Sequence, residues 1–439
     1  MNKLDELIKD LCPLGVEFVP LWSITAWDKK FNAVDKSMQT KVYKYPVLLA
    51  KDLFAMQQNK GNVFLLSTGT ETGWTTEEIA GDYLCEGEVV TLPWGKSSPV
   101  KGLIKYYNGK FVTGDNRIAT SLDTEKLLNK YLYYWMVKHG DLIDTFYRGS
   151  GIKHPNMLQV LTLKIALPPL AVQREIVRIL DNFTELTAEL TAELTARKKQ
   201  YEYYRDKLLT FDSPDSSILT NERTNERTNE RTNEVIWKTL GELGSFYGGI
   251  TGKSKDDFVD GNAKFITYKN VYFNIAVKLD VSDKVKIAPN EKQRTLEYGD
   301  VIFTGSSETP DECGFSSVVT QKTDEKIYLN SFCFFFRFDN VELMLPDFSK
   351  YLFRSAAVRY QIGKTANGVT RFNVSKKLME KVRIPIPTLA EQARIVSILD
   401  RFEALTTDIT HGLPAEIEAR RKQYEYYRDN LLTFKVRKG

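Results

Sequence analysis

Fifteen residues at 197–211, RKKQYEYYRDKLLTF, return at 420–434 as RRKQYEYYRDNLLTF, with only Lys198/Arg421 and Lys207/Asn430 differing. A repeat this close constrains the architecture before any propensity is weighed, because the fold must house two tandem units. The match extends upstream. PPLAVQREIVRILDNF at 168–183 aligns with PTLAEQARIVSILDRF at 387–402, sharing Gln173/Gln392, Ile176/Ile395, Leu180/Leu399, Asp181/Asp400 and Phe183/Phe402. More weakly, GIKHPN at 151–156 faces GVTRFN at 368–373, and VEFVPLWSI at 16–24 resembles VIWKTLGEL at 235–243. The interiors between these segments hardly match. Two like frames, roughly 16–211 and 235–434, carry two unlike inserts.

The matching ends read as helix. Ile176, Ile179, Leu180, Phe183, Leu186, Leu190 and Leu194 step by three and four, as a one-faced helix requires. Neither Pro nor Gly falls between 170 and 211, so one helix of about forty residues, roughly 60 Å long, is expected there. In the second copy Gly412 and Pro414 should break or kink the helix. Two long amphipathic helices in one chain bury their seams most simply by packing antiparallel.

Two low-complexity tracts interrupt the scheme. TELTAELTAELTA at 184–196 keeps Leu near one face of the first helix. One added tetrad would lengthen that helix by about 6 Å and rotate it about 40°, against about 3.4 Å and 35° for one DNA base pair. TNERTNERTNERTNE at 220–234 has no apolar residue and reads as a solvated linker.

The expected fold class is α+β: two mixed α/β domains joined by two long antiparallel helices, pseudo-two-fold and pseudo-circular. The expected segments are 1–15, 16–166, 167–212, 213–234, 235–385 and 386–439. The amphipathic first segment (Leu4, Leu7, Ile8, Leu11) closes the gap between the last helix and the first domain. Within the domains, YPVLLA, NVFLLS, GEVVTLPW, KFITY, DVIFT and FCFFFRF read as strands. EKLLNKYLYYWMVKHG and LPDFSKYLFRSAAVRYQI read as helices.

With 42% hydrophobic and 27% charged residues, the chain has the composition of an ordinary soluble protein. It contains no apolar run long enough for a membrane span and no signal-peptide pattern. Four cysteines without CxxC spacing imply reduced thiols, hence the cytoplasm. A net charge of +4 permits nucleic-acid binding through local patches without arguing for it. Catalytic signatures are missing: no GxSxG, no HExxH, and only three histidines, His139, His154 and His411. GGITGKS at 248–254 has Tyr247 where a phosphate-binding loop needs its first glycine and no apolar run before it, and LPPL at 167–170 lacks the polar and aromatic residues of an adenine-methyltransferase loop.

The interiors do offer polar loops with basic and aromatic residues: STGTETGWTT, WGKSSPVKG, TGDNRIATS and YRGSGIKHPN in the first, and GGITGKSKDD, ITYKN, TGSSETPDECG and TANGVTRFN in the second. Hydroxyls and backbone amides hold phosphates, while Arg, Lys and Asn read base edges.

The duplicated LAxQxxIVxILDxF and RxKQYEYYRDxLLTF, with the tetrapeptide repeat between the first pair, make the chain resemble the specificity subunit of a type I restriction–modification system along nearly its whole length. GGITGKSKDDF, FITYKNV, YGDVIFTGSSET and GVTRFNVS resemble that family's target-recognition domains, whereas the first unit has WDKKF and EGEVVTLPWG in the corresponding places. The resemblance implies a non-catalytic reader of double-stranded DNA. Each domain contacts one half of a split sequence, and the helices set the gap and dock two methyltransferase subunits and a restriction/translocase subunit. S-adenosylmethionine and ATP with Mg are then expected on those partners, not on this chain. A stand-alone DNA-binding regulator, or an enzyme acting through 248–254, are the other readings.

On this resemblance the candidate DNA contacts in the first unit are Thr70, Trp74, Trp94, Lys96, Ser97, Ser98, Asn116, Arg117, Arg148, Lys153 and His154. In the second they are Lys253, Lys255, Tyr268, Lys269, Ser306, Ser307, Thr309, Asn367, Thr370 and Arg371. Candidate partner-docking residues are Gln173, Asp181, Arg197, Tyr201 and Arg205, with Gln392, Asp400, Arg420, Tyr424 and Arg428 as their repeats. No metal ligand is expected.

Overall fold

The computed structural model describes residues 2–70, 72–96, 98–211, 235–407 and 411–437. The whole 213–234 linker, TNER tract included, lies outside these. By internal contacts the chain forms two compact units, one of residues up to Thr191 together with those from Glu416 onward, the other Ala192–Ala415. These units cut across the linear segments expected from sequence: each contains the recurrent RxKQYEYYRDxLLTF strip of the opposite arm.

The first unit begins with helix α1 (Asn2–Leu11), whose Leu4 is buried while Leu11 stays exposed. Strand β1 (Glu17–Pro20) pairs antiparallel with β10 (Lys164–Leu167), bringing the domain's two ends together. Between them, β2 (Thr25–Trp27), β3 (Val63–Leu66), β4 (Gly73–Thr75), β5 (Cys85–Pro93), β6 (Lys105–Thr113) and β7 (Asn116–Ser121) form one sheet in the order β2-β7-β5-β6-β3-β4. All neighbours are antiparallel except β3 and β6. Central strand β5 is buried over Val89–Pro93 because apolar side chains and Thr91 fill both faces. Helix α2 (Asn129–Lys138) covers the sheet with Tyr131, Tyr134 and Trp135. YPVLLA is no strand. Val47 makes a single bridge to Thr113, and Ala50 already starts a short helix, since Pro46 cannot donate to a ladder.

Hairpin β8 (Tyr147–Arg148) and β9 (His154–Pro155) precedes β10. Helix α3 (Leu170–Leu208) then runs unbroken for 39 residues, as the periodicity predicts. Its opening turns bury Val172, Ile176 and Leu180 against α2 and β10, beside Leu432 of the second strip. The chain ends close the unit: Val16 N donates to Lys435 O at 2.9 Å, and Arg437 N donates to Val16 O at 2.9 Å.

The second unit repeats this frame. Strand β11 (Ile236–Thr239) pairs with β22 (Arg383–Ile386) as β1 does with β10. Strands β12 (Gly244–Gly248), β15 (Val301–Thr304), β17 (Ser316–Val318) and β19 (Cys333–Phe338) form an antiparallel sheet in the order β12-β19-β15-β17. Its phenylalanines, with Leu240, Ile395 and Leu399, build the core. A smaller sheet holds β13 (Ala263–Ile266) between β14 (Lys284–Val285) and β18 (Tyr328–Leu329). A third is β16 (Ser306–Ser307), β21 (Phe372–Val374) and β20 (Ala366–Asn367) in that order.

The expected helix over 345–362 is two: α4 (Pro346–Leu352) and a second at Ala356–Gly363. Asp206, from the strip on α3, accepts a hydrogen bond from Ala356 N at 3.0 Å and so satisfies an end amide of the second piece. The terminal arm is likewise broken, α5 (Leu389–Thr407) ending before α6 (Leu413–Leu431) starts beside Gly412 and Pro414. Among the described residues no helix is long and apolar enough to cross a membrane, and no group of three or more His, Cys, Asp or Glu could hold a metal.

Candidate nucleic-acid interface

In the second unit the β20–β21 hairpin turns through Gly368, whose φ of +149° suits glycine alone, and a Cβ there would run into Arg371 O. The turn leaves Asn367, Thr370 and Arg371 exposed, with Val369 92% exposed at its tip. Strand β21 lies against β16, so Ser306 and Ser307 stand beside the hairpin, and Arg371 Nε donates to Ser306 Oγ at 3.3 Å. Tyr268 OH donates to Ser306 O at 2.9 Å, fixing its ring to the same edge. Thr309 follows, its N–H donating to Ser307 Oγ at 3.4 Å. Six residues from three separate loops thus gather around Ser306 into one patch of hydroxyls, an amide and a guanidinium; Ser306 is itself buried and so is not the contact surface expected. Lys253, Lys255 and Lys269 are not drawn into its hydrogen-bonded network. Lys253 is occupied by Glu291 at 2.5 Å, which holds that carboxyl down at about 2, and Lys255 and Lys269 are separately exposed.

The first unit builds a counterpart. The β8–β9 hairpin turns through Gly149 (φ +137°), where a Cβ would meet Ile152 O at 2.9 Å. It presents Arg148, Lys153 and His154, with Ile152 exposed at the tip. His154 Nδ1 hydrogen-bonds Trp94 O at 2.8 Å, and Lys96 N donates to Lys153 O at 3.2 Å, so the segment after β5 lies along the hairpin as β16 does along β21. Ser98, Thr70 and Trp74 are exposed, while Ser97 lies outside the described residues.

Three expected contacts in this unit are inside the protein. Arg117 is 3% exposed, its Nη1 donating to Asp28 at 2.6 Å and its guanidinium lying 4.6 Å over Trp94. Burial nevertheless leaves the Asp28 carboxyl raised, outweighing Arg117's opposite pull. Asn116 is buried and donates to Leu66 O at 2.8 Å. Lys96 Nζ is paired with Asp144 and sits over the Tyr147 ring. These side chains are spent on the fold and shape the floor under Trp94 and His154.

Several expected docking residues are structural in the same way, and twice over. Gln173 donates to Lys126 O (2.6 Å) and Pro168 O (2.8 Å) and accepts from Leu128 N (3.0 Å). Gln392 donates to Leu343 O (3.1 Å) and Pro387 O (2.9 Å) and accepts from Leu345 N (2.8 Å). Both are fully buried clasps between helix start and domain, out of a partner's reach. Asp181 takes Lys130 Nζ at 2.8 Å and Tyr134 OH at 2.5 Å; Asp400 takes Lys350 Nζ at 2.9 Å and Tyr351 OH at 2.6 Å. Within the strips, Arg205 lies over Tyr201 and pairs with Asp206, and the buried Arg428 lies over Tyr424 and pairs with Asp429. Arg197, Arg420 and Asp400 keep part of their side chains at the surface, and each arginine is bonded to a Glu four residues back and a Gln three ahead.

Sequence reasoning missed the apolar hairpin tips, Ile152 and Val369, whose signal was the glycine preceding each.

The fold is that of two framed α/β domains, each with a glycine-turned polar hairpin near its end. The family model described as the type I restriction modification DNA specificity domain matches it twice, at residues 19–197 and 234–419. The chain belongs to that family of type I restriction–modification specificity subunits. It is 32% identical over 454 residues to the Type I restriction enzyme EcoR124I/EcoR124II specificity subunit of Escherichia coli, covering 99% of this chain and 98% of that one. Its fold is also similar to a solved chain from a study of complex assembly and conformational transition of the type I R-M system, with a TM-score of 0.52, 16% identity, and coverage of 80% and 83%.

Proposed function

We propose that this chain reads a bipartite DNA target, one half-site per domain, while α3 sets the untouched gap and the repeated arms dock two methyltransferase subunits and a restriction subunit. The observation that carries this reading is the contrast between frame and insert. The two frames repeat their end strands, helix starts and strips, down to the clasps of Gln173 and Gln392, whereas the hairpins they hold present different side chains, Arg148, Lys153 and His154 against Asn367, Thr370 and Arg371. A protein that reads two different half-sites for two copies of one enzyme needs that combination.

The chain's own residues supply recognition: hydroxyls and backbone amides for phosphates, guanidinium and amide groups for base edges. Methyl transfer belongs to the partners, which hold S-adenosylmethionine, and DNA translocation to a partner using ATP and Mg. The setting is the cytoplasm, where that DNA lies. To test it, the chain is expressed with the methyltransferase subunit of its own genome and methylated adenines are mapped. A split motif with two defined parts is expected; a contiguous motif, or methylation independent of this chain, contradicts the reading.

A further inference from the structure

In each unit the recurrent strip ends outward in the same three-ring ladder. In the second unit Tyr203 meets Tyr204 edge-on (centroids 5.3 Å, planes 75°), and Tyr204 stacks on Phe402 (5.6 Å, 23°). In the first, Tyr426 meets Tyr427 edge-on (5.5 Å, 77°), and Tyr427 stacks on Phe183 (5.1 Å, 20°). The inner members recur because they pack. The outer rings do not: Tyr203 is 60% exposed and Tyr426 67%. A solvated helix position is better served by Lys, Glu or Gln, which have higher helix propensity and no apolar ring in water. Both strips nonetheless keep the tyrosine.

The surroundings show which features are held in common. One turn before each ring stands a lysine, Lys199 or Lys422, on the same helix face, and next to it a second cation, Lys198 or Arg421. One turn after the ring the residue changes: Lys207, with Nζ 5.6 Å from the Tyr203 ring centre, becomes Asn430. The ring and the preceding cations are therefore shared, and the later cation is not. Arg421 and Lys422 pair with Glu418, where the first strip has Thr195, so what recurs is the ring and the lysine one turn before it. An exposed ring held rigidly from behind and offered twice fits one kind of ligand bound twice.

We propose that Tyr203 and Tyr426 are the two anchors through which two copies of one protein partner attach, each ring entering an apolar socket whose rim presents carboxylates to Lys199 or Lys422. This rests on the docking reading above, and the occupant it commits to is the methyltransferase subunit. Exposed aromatics filling a partner's pocket are the usual energetic centres of an interface.

The test is native mass spectrometry of the full chain with its methyltransferase subunit. Wild type is expected as one chain with two subunits, Tyr203→Ala and Tyr426→Ala each as one with one, and the double variant as the chain alone. Each lost site should weaken roughly 30-fold or more. Tyr203→Phe and Tyr426→Phe should keep both subunits, and every variant should melt like wild type, since the rings lie at the surface. Alanine variants that still carry two subunits overturn the assignment. Wild type that recruits none overturns the docking reading itself. Loss of self-association in the variants would hand the rings to a second copy of this chain, and also overturn it.

Discussion

The ring of Phe183 lies stacked on that of Tyr427, centroids 5.1 Å apart and planes 20° apart, although 244 positions separate them in sequence (427 − 183). Its repeat, Phe402, stacks in the same manner on Tyr204 at 5.6 Å. Each strip is thereby held by the helix of the opposite arm. Phe183→Leu and Tyr427→Leu should each destabilise the first unit by about 1–2 kcal/mol, with a coupling of about 0.5–1.5 kcal/mol in a double-mutant cycle. Denaturant unfolding measures this, and strictly additive effects would show the stack to be incidental.

Arg117 is buried between Asp28 and Asp115, so Arg117→Ala leaves the buried Asp28 carboxyl without its ion partner. Arg117→Ala should cost about 3–5 kcal/mol, read as a large fall in melting temperature. Arg371→Ala, at an exposed hairpin tip, should leave melting unchanged and weaken binding to the methylated motif by about 1–3 kcal/mol. Relaxed preference within one half-site would mark Arg371 as a base contact; a salt slope lower by about one would mark a phosphate contact.

Glu175 is nearly buried on α3 and its carboxyl is held at about 2, first by hydrogen bonds from Arg178 and then by Lys3 of α1. A carboxyl depressed in the folded state contributes stability in full above its unfolded value of about 4.3, and loses it as pH falls toward about 2. The stability advantage of wild type over Glu175→Gln should therefore be constant from pH 7 to 5 and shrink below pH 4.5. Thermal melts across pH check the sign, and an advantage growing in acid would contradict it.

The helical frame was legible in the sequence because it rests on local signals: three-four periodicity gave α3, and Gly412 with Pro414 gave the break between α5 and α6. Which strip packs where was not, since two strips differing at only two positions fit either arm equally well. The candidate interface divided similarly. Asn367, Thr370 and Arg371 follow from a glycine turn between short strands. Arg117 does not, because the Asp28 that buries it lies 89 residues away and only sheet register brings them together. Polar loop composition cannot separate a side chain that faces solvent from one that closes a core.

If α3 spaces two independent readers, adding one TAEL after Leu194 should change only the distance between the two sequences read. Mapping methylated adenines with the extended chain and its methyltransferase subunit should return both half-sites unchanged with a gap wider by one or two base pairs, since four residues add about 6 Å to a helix. Altered half-site bases, or an unchanged gap, would contradict the account.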